Sequence, residues 1–347
     1  MSALVNAAVR PADVPPPSDE AAAFHRSLDG YRPTPLRDLP GVAAELGIGR
    51  VALKDESDRL GLPAFKVLGA SWAVERALRE QPDVHTLVAA SAGNHGRAVA
   101  HVAALRGLHC RIYLPARSAT ACREAIAAEG AEVVVVDGSY EDAVERAGAD
   151  ARQDGVLELA DVGASGPASW VIDGYATLFA EVGPGFDVIL VPIGVGSLGA
   201  AAARFGAKTG ARVIGVEPDT AACLTASLAV GRPTPVDTPG TSMAGLDCAE
   251  VSRAAWPSLM AGIHGTVTVS DGEAHAAMRE LAAAGLQIGD SGAAPLAALR
   301  ALVRSPECAP LRDAVTLDAT TRVLLVATEG PTDPDGYRAR VRRPSAG

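Results

Sequence analysis

Asp55-Glu56-Ser57-Asp58-Arg59-Leu60-Gly61-Leu62-Pro63-Ala64-Phe65-Lys66-Val67-Leu68-Gly69-Ala70 is the run on which the reading of this chain turns, and within it the residue to explain is Lys66. A primary amine set between Phe65 and Val67, with Ala64 and Leu68 beside it, is partly desolvated. Desolvation disfavours the ammonium form and leaves a nucleophile near neutral pH, as imine formation requires. The 31 basic residues include only three lysines, Lys54, Lys66 and Lys208. A chain that so prefers arginine keeps lysine where guanidinium cannot do the chemistry. The competing reading is structural, with Lys66 opening an amphipathic helix and its amine snorkelling to water. Lys54, ahead of the charged loop, reads as a surface residue.

Working outward, 51–53 reads as a strand feeding the loop, and Ala, Val and Leu at three- and four-residue steps predict a helix over 68–79. The same strand, loop and helix rhythm continues with strands over 86–90, 109–114, 132–136 and 156–159 and helices over 96–105, 120–129 and 139–149. A second set of strands follows over 188–191, 212–216, 265–269 and 323–327. These strands are short, β-branched and continuously apolar, which predicts mainly parallel sheets covered on both faces. Two α/β units that join near residue 170 follow from this order. Residues 1–18, rich in Pro and Ala and without periodicity, read as a flexible arm, and 19–28 as a short helix.

At 347 residues the chain exceeds one comfortable core, and with 48% hydrophobic residues it has the composition of a soluble α/β protein. A net charge of −10 without a basic cluster excludes nucleic acid or an anionic membrane as partner and leaves a small ligand. Five scattered cysteines show no metal-ligand spacing, so no metal is expected and the thiols read as reduced. The N-terminus has no basic region followed by an apolar run, and no apolar stretch approaches about eighteen residues, so a cytoplasmic location is expected.

Two further runs carry chemistry. Gly194-Val195-Gly196-Ser197-Leu198 follows an apolar strand and opens an Ala-rich helix. Glycines there let the backbone approach an anion, and the helix N-terminus offers N–H groups to a phosphate. A tight connection without a ligand would look the same. The run is no Walker loop, since the Lys that reaches the outer phosphates is missing. Ser91-Ala92-Gly93-Asn94-His95-Gly96 also lies between a strand and a helix, where open α/β folds bind ligands, and its donors suit an amino-acid carboxylate. The alternative is a glycine turn with an Asn cap and a structural His95. An imine-forming amine, a phosphate cradle and a carboxylate cradle on separate strands together suggest pyridoxal 5'-phosphate.

At this point the chain resembles the fold-type II pyridoxal phosphate enzymes, and among them the diaminopropionate ammonia-lyase family. The resemblance runs through Ala23-Phe24-His25, Tyr31-Arg32-Pro33-Thr34-Pro35-Leu36, the run from Lys54 to Gly69, Gly93-Asn94-His95-Gly96-Arg97, the segment 169–178, the loop 194–198, Met243-Ala244-Gly245-Leu246, Gly289-Asp290-Ser291-Gly292-Ala293 and Thr328-Glu329-Gly330-Pro331-Thr332-Asp333-Pro334, in the family's order. It implies two three-layer α/β domains with mainly parallel sheets, the tryptophan synthase beta-like arrangement. The smaller domain would hold 67–170 and the larger 19–66 plus 171–347, with the active site between them.

The resemblance also implies roles. Lys66 would be the Schiff-base lysine, Asn94 would meet the cofactor's ring hydroxyl, the loop of Gly194, Val195, Gly196, Ser197 and Leu198 would hold its phosphate, and Thr328 would face the ring nitrogen. Ser91, Ala92, Gly93 and His95 would hold the substrate carboxylate, and Asp161 would serve as acid/base beside the leaving group. A homodimer is implied. Two departures stand out. The family's ammonia-lyases carry an aspartate where this chain has Ala92, and Ser-Ala-Gly-Asn-His is the pattern of serine/threonine dehydratases. After Asp161 the family has Thr-Ala-Trp, whereas this chain has Val162-Gly163-Ala164, a pared-back pocket wall. The function implied is α,β-elimination on a β-substituted L-amino acid, giving a 2-keto acid and ammonia. A serine/threonine-type dehydratase and a β-replacement enzyme are the alternatives.

Overall fold

The computed structural model describes residues 2–160, 163 and 165–342. Its strands, in chain order, are β1 (Ala3–Val5), β2 (Leu36–Asp38), β3 (Arg50–Asp55), β4 (Thr86–Ala90), β5 (His109–Pro115), β6 (Glu132–Val136), β7 (Val156–Glu158), β8 (Val188–Pro192), β9 (Arg212–Pro218), β10 (Ile263–Val269) and β11 (Arg322–Ala327). They build a seven-stranded sheet in the order β1-β10-β9-β8-β11-β3-β2 and a four-stranded sheet in the order β6-β5-β4-β7. Pairing is parallel throughout except at the two edges of the larger sheet, where β1 meets β10 and β2 meets β3 antiparallel.

Continuous apolar strands need two covered faces, and alternation along them shows that both are used. In β8, Ile189 and Val191 join one core while Val188 and Leu190 join the other; in β11, Leu324 and Val326 divide from Val323 and Leu325 in the same way. One core is shared with the smaller sheet and contains the helices Lys66–Glu80, Asn94–Arg106, Pro167–Val182 and Ser197–Thr209. The other lies under Asp271–Ala283 and Asp290–Arg304. Each fully buried Val, Ile or Leu contributes about 1.5–3 kcal/mol, so every such strand position adds to the stability of the fold. The smaller sheet has its own outer layer, the helix Tyr140–Asp150, whose Ala143 and Ala147 pack on Val88 and Tyr113.

The helix that begins at Lys66 is seated by a crossing that only glycine allows. A Cβ on Gly174 would lie 2.5 Å from the Leu68 carbonyl oxygen and 2.8 Å from Gly69 Cα, and one on Gly69 would meet the Tyr175 ring at 2.6 Å. A helical glycine costs about 1 kcal/mol relative to alanine, and here the close approach of Lys66–Glu80 to Pro167–Val182 offsets it.

Two segments differ from their sequence reading. The expected flexible arm 1–18 contains β1, and Asn6 is buried, donating from Nδ2 to Met260 O (2.8 Å) and Ile263 O (2.7 Å). The distant edge of β10 supplies the partner that local composition does not reveal. Lys54 is no surface residue. Its side chain is only 1% exposed, and Nζ donates to Glu181 Oε2 at 2.5 Å and to Thr34 O at 2.8 Å. Arg59 joins the same cluster, pairing with Glu56 at 2.6 Å and Glu181 at 2.6 Å. Burial alone would raise the Glu181 carboxyl, but Arg59 and then Lys54 hold it at about 2.

Candidate active site

The C-terminal ends of β3, β4, β8 and β11 point their loops toward one another, the place where parallel α/β sheets assemble sites. The loop after β3 is stitched to the loop after β11: Glu56 N donates to Ala327 O (2.9 Å), Phe65 N to Thr328 O (3.2 Å) and Gly330 N to Pro63 O (2.9 Å). Lys66, the first residue of its helix, is therefore held one residue from a contact with Thr328. Its side chain is half-buried, with Nζ 5.6 Å from the centre of the Phe65 ring, which in turn packs on Tyr175 at 4.7 Å. Thr328 is buried directly after β11.

From the smaller sheet come Ser91 to His95. The helix Asn94–Arg106 starts so close to the strand that a Cβ on Gly96 would fall 2.3 Å from the Ser91 carbonyl oxygen. The N-cap is Gly93, so Asn94 is free of the capping role that its sequence context also allowed. Instead its Nδ2 donates to Glu329 Oε2 at 2.5 Å, joining the two sheets' loops across 235 residues. Gly93 N donates to Ser91 Oγ at 3.3 Å, and Ala92 is half-buried against the main core. The His95 ring is buried with Nε2 2.7 Å from Leu159 O, a bond that ties the helix start to the end of β7.

The loop after β8 has no room for side chains at its glycines. Gly196 has φ +93°, and a Cβ there would strike Leu259 Cδ1 at 2.6 Å; one on Gly194 would strike Gly245 O at 2.6 Å. The helix Ser197–Thr209 follows at once, and the N–H groups of its first turn have no intrahelical acceptor. A backbone cradle at a helix N-terminus fits a phosphate dianion. Together with the amine of Lys66 and the neutral hydroxyl of Thr328, this donor set fits pyridoxal phosphate.

Asp161, Val162 and Ala164, the expected acid/base and two residues of the pocket wall, lie outside the described residues. Gly163 accepts from Ala254 N at 2.7 Å. Among the described residues no group of His, Cys, Asp and Glu has the arrangement of a metal site.

Sequence reasoning assigned no role to Glu329 or Asp290, although both stand inside the quoted motifs. Burial, then the neighbouring Asp290, raises the Glu329 carboxyl to about 7, and burial also raises Asp290 despite Arg340 at 3.4 Å. Their signal was weak because one acidic residue after a strand and one opening a helix are commonplace.

A model of the family described as "Pyridoxal-phosphate dependent enzyme" matches residues 27–318. The chain is 34% identical to a diaminopropionate ammonia-lyase of Salmonella typhimurium, with 92% of this chain and 90% of the relative covered. An L-threonine dehydratase of Corynebacterium glutamicum is 32% identical, with 64% of this chain and 52% of the relative covered. Among solved structures, Escherichia coli diaminopropionate ammonia-lyase in complex with an aminoacrylate-PLP azomethine reaction intermediate superposes with a TM-score of 0.88 at 31% identity, covering 98% of this chain and 96% of that one.

Proposed function

The chain belongs to the pyridoxal-phosphate dependent enzymes, and on that premise we propose that it is a carbon–nitrogen lyase that eliminates ammonia from a β-substituted L-amino acid of the diaminopropionate type, giving a 2-keto acid and ammonia. The observation that carries this reading is the similarity to diaminopropionate ammonia-lyase over 92% of the chain, supported by Phe65 N–Thr328 O beside Lys66 and by the glycine loop that follows the neighbouring strand β8. Bound pyridoxal phosphate supplies the electron sink for charge at the substrate's Cα.

The chain's own residues do the rest. Lys66 Nζ would hold the cofactor, and either Lys66, when released, or Asp161 would move the proton at the substrate's Cα. Gly194, Val195, Gly196, Ser197 and Leu198 hold the phosphate, Asn94 the ring hydroxyl, and Thr328 the ring nitrogen without placing a charge beside it. Ser91, Ala92, Gly93 and His95 bind the substrate carboxylate, with the His95 ring committed to Leu159 and so acting through its position. Asp161 takes the acid/base role beside the leaving group. The smaller domain comprises 67–170, the larger 19–66 plus 171–347, and the site lies between them. The enzyme works as a cytoplasmic homodimer on a small amino acid. A charge of −10 supports the lack of a nucleic-acid or membrane partner, and among the described residues no helix is long and apolar enough to cross a membrane.

Ala92 sets the stereochemistry. Opposite enantiomers held by the same contacts turn the Cα proton to opposite faces, and a methyl group takes no proton. General-base catalysis on that face, worth about two to four orders of magnitude, is lost. Ammonia and keto acid release from L- and D-diaminopropionate, serine, threonine and β-arylserines tests the assignment. Activity on L-diaminopropionate with near inertness to the D-isomer is expected, and Ala92→Asp should recover part of the D-activity. Equal rates on both enantiomers in the parent would overturn the role of position 92. The second reading, a serine/threonine-type dehydratase, is favoured by the same alanine and by the C. glutamicum relative; it predicts ammonia from serine or threonine but none from diaminopropionate. Product formation only with an added second nucleophile would mark β-replacement.

A further inference from the structure

The loops that form the site meet at Glu329. Its carboxyl is buried and accepts from Asn94 Nδ2 at 2.5 Å. Its backbone oxygen accepts from Gly289 N at 3.0 Å, and the residue bridges to Ala64, two positions before Lys66. Glycines clear the space around it. A Cβ on Gly289 would reach Glu329 Cγ at 3.1 Å and Oε1 at 3.2 Å, and one on Gly245, which abuts the phosphate cradle at Gly194, would lie 4.0 Å from Oε2. A carboxyl this deeply buried is ordinarily matched by a cation. Among the described residues no ion pair includes Glu329, whereas the adjacent Asp290 has Arg340 at 3.4 Å.

We propose that Glu329 is a positioning residue acting through Asn94: by accepting from Nδ2 it fixes the amide and leaves the second amide hydrogen to the ring hydroxyl of bound pyridoxal phosphate. The inference rests on the assignment of Asn94 given above and adds the group that orients it. An asparagine amide has two donors and one acceptor that a rotation interchanges, so an otherwise loose amide presents either face. A carboxyl bound to one end removes that ambiguity.

The position also couples cofactor binding to a proton. Burial, then Asp290, holds Glu329 at about 7. Around this carboxyl pair Arg340 and His275 act on Asp290, and hydrogen bonds from Ser291 and Asn94 partly offset the rise at Glu329. An anionic ligand beside Asn94 favours the protonated carboxyl, so binding and proton uptake reinforce each other. Cofactor affinity of the parent falls as pH rises through 7. Glu329→Gln keeps an acceptor for Asn94 but carries no charge.

The test is back-titration of the stripped enzyme with pyridoxal phosphate, followed by the visible band and by tryptophan fluorescence, at pH 6 and pH 8.5. Glu329→Gln should match the parent within about threefold at pH 6 and bind up to about 30-fold more tightly at pH 8.5, the ceiling set by 1.5 pH units above the carboxyl's midpoint. Glu329→Leu, which removes the acceptor, should bind about tenfold more weakly at pH 6, and that loss should vanish in an Asn94→Ala background. Where the Leu variant does not fold, Glu329→Ala takes its place. Parental affinity in the variant without the acceptor, or an undiminished loss in the Asn94→Ala background, overturns the positioning role, and parental affinity for Glu329→Gln at both pH values overturns its coupling to a proton. Unchanged affinity in Asn94→Ala alone overturns the assignment of Asn94 itself, and the positioning role with it.

Discussion

Glu56 and Glu329 leave neighbouring strands of one sheet, and the fold surrounds them in opposite ways. Glu56 lies in a cluster where every carboxylate has a cation: Arg59 spans Glu56 and Glu181, and Lys54 adds a second charge to Glu181. Thr34 Oγ1 donates to Glu56 at 2.5 Å, and Tyr31 Oη to Glu181 at 2.7 Å. Glu329 has the Asn94 amide, Ser291 and a second carboxyl, Asp290, for neighbours, and no cation among its ion pairs in the described residues. The consequence is a Glu181 held at about 2 and a Glu329 raised to about 7. Matched charges in a dry interior hold the loop that carries Lys66, whereas an unmatched carboxyl in the same interior stays able to exchange a proton. The first arrangement suits a scaffold, and the second belongs beside chemistry.

The comparison breaks most sharply at Lys66. Lys66→Ala should abolish turnover and the cofactor's visible band while the melting temperature stays within a few degrees of the parent, because the cluster that holds the loop is untouched. Retention of band and activity would move the cofactor elsewhere. On the scaffold side, Arg59→Met should do the reverse: by leaving Glu56 and Glu181 without their shared cation it should cost about 3–5 kcal/mol, read by urea unfolding. A loss under about 1 kcal/mol would show that water reaches the cluster.

Gly196→Asp is expected to act between these extremes. The new Cβ meets Leu259 and its carboxylate repels a phosphate, so affinity for pyridoxal phosphate should fall by one to two orders of magnitude, on the order of 1.4–2.7 kcal/mol, measured by the same back-titration. A folded variant with parental affinity would reduce the loop to a turn. The smallest effect expected is a difference in pH slope. Glu181, lowered from 4.5 to about 2, contributes stability that is complete above pH 4.5 and lost as pH falls toward 2. Glu329, raised from 4.5 to about 7, works with the opposite sign: its folded form binds the proton more tightly, so stability declines as pH rises from 4.5 to 7. In urea titrations of the cofactor-free protein, Glu329→Gln should remove about 1–3 kcal/mol of that decline between pH 5 and pH 8. An unchanged slope would assign the decline to other groups.

Much of the molecule is legible in local pattern. Continuous apolar runs such as Val188–Pro192 and Arg322–Ala327 bury both faces of a parallel strand, and that requirement shows in any window of the chain. The rarity of lysine pointed to Lys66, and the glycines at 194 and 196 to an anion cradle, because an amine and a bare backbone are needed whatever surrounds them. Lys54 and the first residues were not legible. A lysine before Asp55 and Glu56 reads as surface until Glu181, 127 positions away, comes to meet it, and Ala3–Val5 becomes a strand only because β10 offers an open edge some 260 residues later. Glu329 depends on tertiary structure altogether. Its distance from Asn94 in sequence is 235 residues, and both its raised carboxyl and its contact with the site arise from what the fold packs around it. Periodicity and residue chemistry are properties of short segments, and they determined the sheets and singled out the candidate amine and cradle. Burial and charge matching are properties of the assembled interior, and only that interior decided which carboxyls are paired and held low, as Glu181 is, and which are raised, as Glu329 is.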